Sequence, residues 1–185
     1  MRLFIAICFS DETRAQLLAF QSKLHNYSAS GNFSSPENLH LTLAFLGECD
    51  ARQIISAKQA VNAIKFEPFA LKIGGGGYLD KGRPNLVFCG IQNDDGYARL
   101  LTLQSNLSST LSVKGFKLEK RKFWPHITLG REVIWKDIGD SLGFPSRKEQ
   151  VASITLMRSG RVNGKLTYTP TISTRAQSGE PVFGT

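Results

Sequence analysis

The pattern His-x-Thr-Leu occurs twice, as His40-Leu41-Thr42-Leu43 and His126-Ile127-Thr128-Leu129, and the two copies hold two of the chain's three histidines. In a strand successive side chains point to opposite faces, so His40 and Thr42 share one face about 6.6 Å apart while Leu41 and Leu43 take the other. His126 and Thr128 repeat the arrangement. Two such strands facing a common groove would offer two imidazoles and two hydroxyls to one bound group. An imidazole has an unperturbed pKa of about 6.5, so near neutral pH one ring can be neutral and the other protonated, which suits acid–base chemistry on a phosphate ester.

One His-x-Thr alone is a weak signal, because Thr is a good strand former and a lone His is usually a hydrogen-bonded structural residue. Two copies change the balance. They lie 86 positions apart in 185 residues, close to half the chain, as an internal duplication with one motif per half would produce. Arg131 follows three residues after Thr128 near the end of the same strand, from which a short bend could bring its guanidinium to a phosphate held by the motif. The motif lacks the carboxylate and second-ligand spacing of a zinc site, and the three cysteines offer no substitute, so neither a metal nor another cofactor is expected. His25 closes a helix, where its charge suits the dipole, and has no catalytic part.

The elements around the motifs recur in order. Residues 2–9 read as a strand, 11–24 as a helix capped from Ser10, and 27–36 as a polar loop feeding the first motif strand at 39–46. Asp50 caps a second helix over 51–64, and a strand follows at 69–73. Gly74–Gly77 reads as a flexible turn, since no Gly-Lys-Ser/Thr follows to make a phosphate loop. A strand at 85–91, a helix at 94–111 and the second motif strand at 125–131 repeat the first half. Strands at 151–157 and 165–169 complete the second half. The expected fold class is α+β, with two pseudo-symmetric lobes, each a mainly antiparallel sheet with outer helices, around a central cleft, forming one bilobal domain over residues 1–185.

These stretches carry a resemblance. Residues 2–7 (RLFIAI), 38–48 (NLHLTLAFLGE) and 125–131 (PHITLGR) resemble the two-histidine phosphoesterase family, in particular its RNA 2',3'-cyclic phosphodiesterase branch, long labelled 2'-5' RNA ligases. The likeness in layout runs from residue 1 to about residue 170, with Gly130 standing where a larger apolar residue is expected. The resemblance implies the same two-lobed fold, His40 as the general acid that protonates the 3' oxygen, His126 as the general base that activates water, and a 2'-phosphate product. The roles could be exchanged, and reversal would join 2'-5' ends weakly. Thr42, Thr128 and Arg131 would hold the phosphate. The implied partner is RNA or a nucleotide with a 2',3'-cyclic phosphate end. The alternatives are a noncatalytic RNA-end-binding module, or a relative acting on ADP-ribose cyclic phosphate or 2'-5' oligonucleotides.

Composition agrees with a polyanionic partner: the formal charge is +8 and the pI about 9.6. Basic residues concentrate at 117–122 (KLEKRK) and 158–165 (RSGRVNGK), most of them read as solvated surface. Phe45, Phe123 and Trp124 lie near the motifs. Phe45 is expected in the core, whereas Trp124 could equally pack or stack a base. Cys8, Cys49 and Cys89 read as buried thiols of a reducing cytosol. The apolar start, Met1 to Phe9, is too short for a signal segment, and no run approaches the roughly 18 apolar residues of a membrane span. A cytoplasmic monomer is expected.

Overall fold

A computed structural model describes residues 1–79, 85–136 and 143–177. The order is β1 (Arg2–Cys8), α1 (Asp11–Asn26), β2 (Ser28–Phe33), a 3₁₀ turn (Pro36–Asn38), β3 (His40–Glu48), α2 (Ala51–Ala63), β4 (Phe69–Leu79), β5 (Asn85–Ile91), α3 (Asp95–Val113), β6 (His126–Trp135), β7 (Arg147–Val151), β8 (Ser153–Val162) and β9 (Lys165–Arg175). The helices start where their caps dictate. Ser10 accepts from the Thr13 N–H, Asp94 from the Tyr97 N–H, and Asp50 with Gln53 forms a reciprocal capping box. Leu17, Phe20 and Leu24 of α1, and Leu100, Leu103, Leu107 and Leu111 of α3, follow helical spacing and are buried.

All strand pairs are antiparallel, in the order β7-β4-β5-β6-β3-β1-β8-β9, with β2 added on β6. The class is thus α+β as expected, but the two halves share one continuous sheet. They join where β3 meets β6, at the single pair Leu41–Ile127. Beyond it the strands part, and β2 takes the place beside the later half of β6. One side of the sheet carries the main core, with Leu3, Ile5, Ile7, Leu41, Leu43, Ile127 and Leu129 packed under the helices. On the other side Phe4, Ala6 and Met157 make a small separate cluster with Tyr168.

Several expectations need correction. β8 and β9 complete the first half, not the second: β1 is buried from Leu3 to Ile7 and needs a neighbour on both edges, and β8 supplies the second by placing Leu156 across from Ile5. Gly74–Gly77 is not a turn but the continuation of β4, with a bulge between Ile73 and Gly76 and Gly75 at φ +72°. A Cβ on Gly77 would stand 2.8 Å from the tip of the Phe88 ring, so the bare backbone is what leaves room for that ring. Cys8, the last residue of β1, is exposed, while Cys49 and Cys89 are buried. The polar stretch 27–36 contains β2, and β9 runs on to Arg175; residues 178–185 lie outside the described part.

Where β3 leaves β6, backbone groups lose their ladder partners and others replace them. The Ser34 N–H donates to the Leu129 carbonyl at 2.8 Å and the Ser34 hydroxyl to the Thr128 carbonyl at 2.9 Å. The Gln21 amide, from α1, donates to the Ser34 and Leu129 carbonyls, both at 2.8 Å. On the other motif strand Gln104 of α3 donates to the Leu43 carbonyl at 3.4 Å. Leu43 and Leu129 hold the same place in the two motifs, so each motif strand is held by a glutamine from the helix that precedes the other motif. Replacing Gln21 by Leu removes both bonds and leaves the Ser34 carbonyl without this donor. We expect a loss of about 1–3 kcal/mol, read as a lower urea midpoint with unchanged slope. An unchanged midpoint would show that this amide does not hold the divide.

Candidate active site

The Leu41–Ile127 pair sets the positions of the motif residues. In an antiparallel register centred there, His40 stands opposite Thr128 and Thr42 opposite His126, all on the face turned away from the buried Leu41 and Ile127. The four side chains are half-buried.

Each ring is held in the same way. His40 Nδ1 lies 2.7 Å from the Asn38 carbonyl, and His126 Nδ1 lies 2.9 Å from the Trp124 carbonyl, in both cases two residues upstream. A carbonyl only accepts, so each Nδ1 carries the hydrogen and, in a neutral ring, each Nε2 is an acceptor. His40 Nε2 is 3.0 Å from the Thr42 hydroxyl, which donates to it when the ring is neutral. Burial lowers the His40 pKa from the usual 6.5 to about 4; the Asn38 carbonyl opposes the shift, and the charges of Arg131 and His126 add to it. His40 is therefore neutral at neutral pH in the substrate-free protein.

Arg131 is exposed, yet near enough for its charge to act on His40. The expected bend exists inside β6 rather than at its end, because Glu132 adopts φ +54° and the strand continues to Trp135. A hydrogen bond from the Asn32 amide to the Glu132 carboxylate fastens the bend. His25, exposed at the end of α1, packs against Phe33.

Aromatic rings back both histidines. Phe4 and Tyr168 lie 4.9 and 5.1 Å from the His40 ring, Tyr168 edge-on. Trp124 stacks on His126 at 4.5 Å and meets the edge of Phe88 at 4.6 Å. Trp124 keeps 43% of its surface exposed, so it is not a core residue. Phe45 is not a core residue: it is 60% exposed and only grazes Phe4, at 6.0 Å. Phe123 is half-buried against the core.

Asn38 and Tyr168 were not legible as site residues. Besides holding His40 through its carbonyl, Asn38 uses its side chain to accept from the Tyr168 N–H at 3.1 Å and to donate to the Leu166 carbonyl at 2.8 Å. The turn before the first motif is thereby fastened to β9, 128 and 130 positions away. Nothing local marks such a contact. Among the described residues no three His, Cys, Asp or Glu side chains gather as a metal-binding group.

Residues 7–88 fit the model of the LigT-like phosphoesterase family. An RNA 2',3'-cyclic phosphodiesterase of Thermotoga maritima is 36% identical over 152 residues, covering 78% of this chain and 79% of that protein. The chain belongs to the LigT-like phosphoesterase family. Among its relatives, an RNA 2',3'-cyclic phosphodiesterase of Escherichia coli is 31% identical over 169 residues, 91% of this chain and 93% of that one. The crystal structure of E. coli LigT complexed with 3'-AMP superposes with a TM-score of 0.78 at 30% identity, over 96% of this chain and 98% of that one.

The depressed His40 pKa links stability to pH. An unfolded His titrates at about 6.5 and the folded one at about 4, so the unfolded state binds more protons in between and stability falls as pH drops through that window. From pH 7.5 to 4.5 the wild type is expected to lose on the order of 2–3 kcal/mol that His40→Gln does not lose, read by urea unfolding at each pH. Parallel stability profiles for the two proteins would contradict the shift.

Proposed function

We propose that this member of the family is an RNA 2',3'-cyclic phosphodiesterase that opens the cyclic ester to a 2'-phosphate without a metal, its two halves working as one bilobal domain. The observation that carries the reading is the paired mounting of His40 and His126, each with Nδ1 occupied by a carbonyl, on strands that meet at one residue pair. His126 Nε2 takes a proton from water, whose oxygen bonds to phosphorus. The bond from phosphorus to O3' breaks, and His40 Nε2 delivers a proton to that oxygen. A 3'-hydroxyl and a 2'-phosphomonoester remain. Thr42 and Thr128 donate to the nonbridging oxygens, and Arg131 offsets their charge.

A neutral His40 must gain its proton when the substrate binds. The phosphate anion supplies the compensating charge that burial denies, and the imidazolium becomes the acid. The two rings then titrate as a coupled pair. By microscopic reversibility the same site joins 2'-5' ends weakly. Support comes also from the relatives named as RNA 2',3'-cyclic phosphodiesterases and from the 3'-AMP complex of E. coli LigT.

His40→Ala and His126→Ala are each expected to lower turnover of a nucleoside 2',3'-cyclic phosphate by at least about 10²-fold while the protein stays folded. Near-normal turnover in either variant removes that histidine from the chemistry. A protein that binds the cyclic phosphate and leaves it closed would be an RNA-end-binding module instead. Product analysis on a panel that adds ADP-ribose cyclic phosphate and a 2'-5' oligonucleotide fixes the substrate class.

The rate should follow a bell-shaped pH profile, falling on the acid side as the base is protonated and on the alkaline side as the acid is lost. Excess chelator should leave it unchanged. Abolition by chelator with rescue by a divalent ion would replace this mechanism by a metal-assisted one.

A further inference from the structure

Beyond His40, the same face of the sheet continues along β1, β8 and β9, and the reaction makes no use of that part. Register partners in an antiparallel sheet share a face. Arg2 pairs with Ser159, Ser159 with Tyr168, and Arg161 with Leu166. Arg2 is two residues from Phe4 and Arg161 two from Ser159, so all five residues share the face on which Phe4 and Tyr168 touch His40. A strip leads from the His40 ring across Tyr168 to Leu166, with Arg2 and Arg161 beside it.

The strip is built rather than loose. The Asn38 side chain ties β9 at Leu166 and Tyr168 to the turn before His40. The hairpin closes through Asn163 and Gly164, both at positive φ, as a two-residue turn requires. Arg161 donates from Nη1 to the Gly164 carbonyl at 2.7 Å, which fixes its stem and leaves most of its five donors for another acceptor. Among the described residues neither Arg2 nor Arg161 stands in an ion pair. Of the nearby carboxylates, Glu48, across from Arg2 on β3, meets the amino terminus at 3.1 Å, and Glu37 is held first by hydrogen bonds from its own backbone and Ser35. Leu166 leaves 45% of its surface in solvent.

Cations interleaved with exposed apolar surface and a half-buried aromatic ring suit a single nucleic-acid strand, since the cations hold backbone phosphates and the flat surfaces take bases. The other basic run, Lys117–Lys122, has no strand or helix to hold it, and its Arg121 is taken by Glu119 at 2.8 Å. We propose that Tyr168, Leu166, Arg161 and Arg2 hold the nucleotides that precede the terminal cyclic phosphate, so that this strip sets a preference for a strand end over a free cyclic mononucleotide. This rests on the cyclic phosphodiesterase reading of the His40–His126 site.

The test compares kcat/KM on adenosine 2',3'-cyclic phosphate with that on an RNA trinucleotide ending in the same group. The wild type should prefer the trinucleotide by about tenfold or more, through KM. Arg161→Glu and Leu166→Ala, both on exposed side chains, should erase most of that preference and leave the mononucleotide rate unchanged. The preference should also weaken with salt, and less steeply in Arg161→Glu. Equal rates on both substrates in the wild type, a preference untouched by these variants, or a preference lost instead in Lys120→Glu/Lys122→Glu would overturn the proposal. If neither the mononucleotide nor the trinucleotide is opened, the cyclic phosphodiesterase reading falls by itself. Anisotropy of a 5'-labelled trinucleotide bearing a terminal 2'-phosphate still decides the strip: weaker binding by Arg161→Glu supports it, and unchanged binding overturns it.

Discussion

Two strands that touch at one residue pair and then part are the constraint on which the rest depends. Leu41 and Ile127 point into the core and close the contact, and their neighbours therefore point together into the opening. The parting leaves the Thr128, Leu129 and Leu43 carbonyls to be met by Ser34, Gln21 and Gln104. An unmet buried carbonyl costs free energy comparable to a lost hydrogen bond, so these three side chains are part of the cleft's construction.

Electrostatics follows from that packing. Phe4 and Tyr168 enclose His40 and keep its ring neutral, while the Asn38 carbonyl fixes which nitrogen carries the hydrogen. His126 has the matching carbonyl from Trp124, and its ring lies on the indole. The motif's period thus aims the rings, and backbone carbonyls two residues upstream set their tautomers. A bound phosphate adds the negative charge that makes protonation of a buried imidazole favourable.

What could be read from the chain alone was local. Period-two alternation around His40 and His126, the caps at Ser10 and Asp50, and the third helix each have a nearby physical cause, and each stands in the structure. The misreadings share a different cause. β2 and β7 are polar strands held by their neighbours, so they show no apolar alternation. Within the glycine run, Gly77 admits no side chain because Phe88, on another strand, occupies the space it would fill. β8 and β9 joined the first half because of what β1 lacks on its second edge. Asn38 and Tyr168 matter through contacts across more than 120 positions, and Phe45 lies in the open because β3 irregularly pairs with β1 near it. Long-range register carried these features, and short windows of sequence do not contain it.

The central claim is that both Nε2 atoms address one phosphate. Titrating a nucleoside 2'-phosphate into protein with ¹⁵N-labelled histidines, and following the ring nitrogens by NMR over pH, tests it most directly. The account predicts that both His40 and His126 respond with the same affinity and that the His40 pKa rises from about 4 when the nucleotide binds. A response from one ring only, or a His40 pKa that stays where it was, would contradict it.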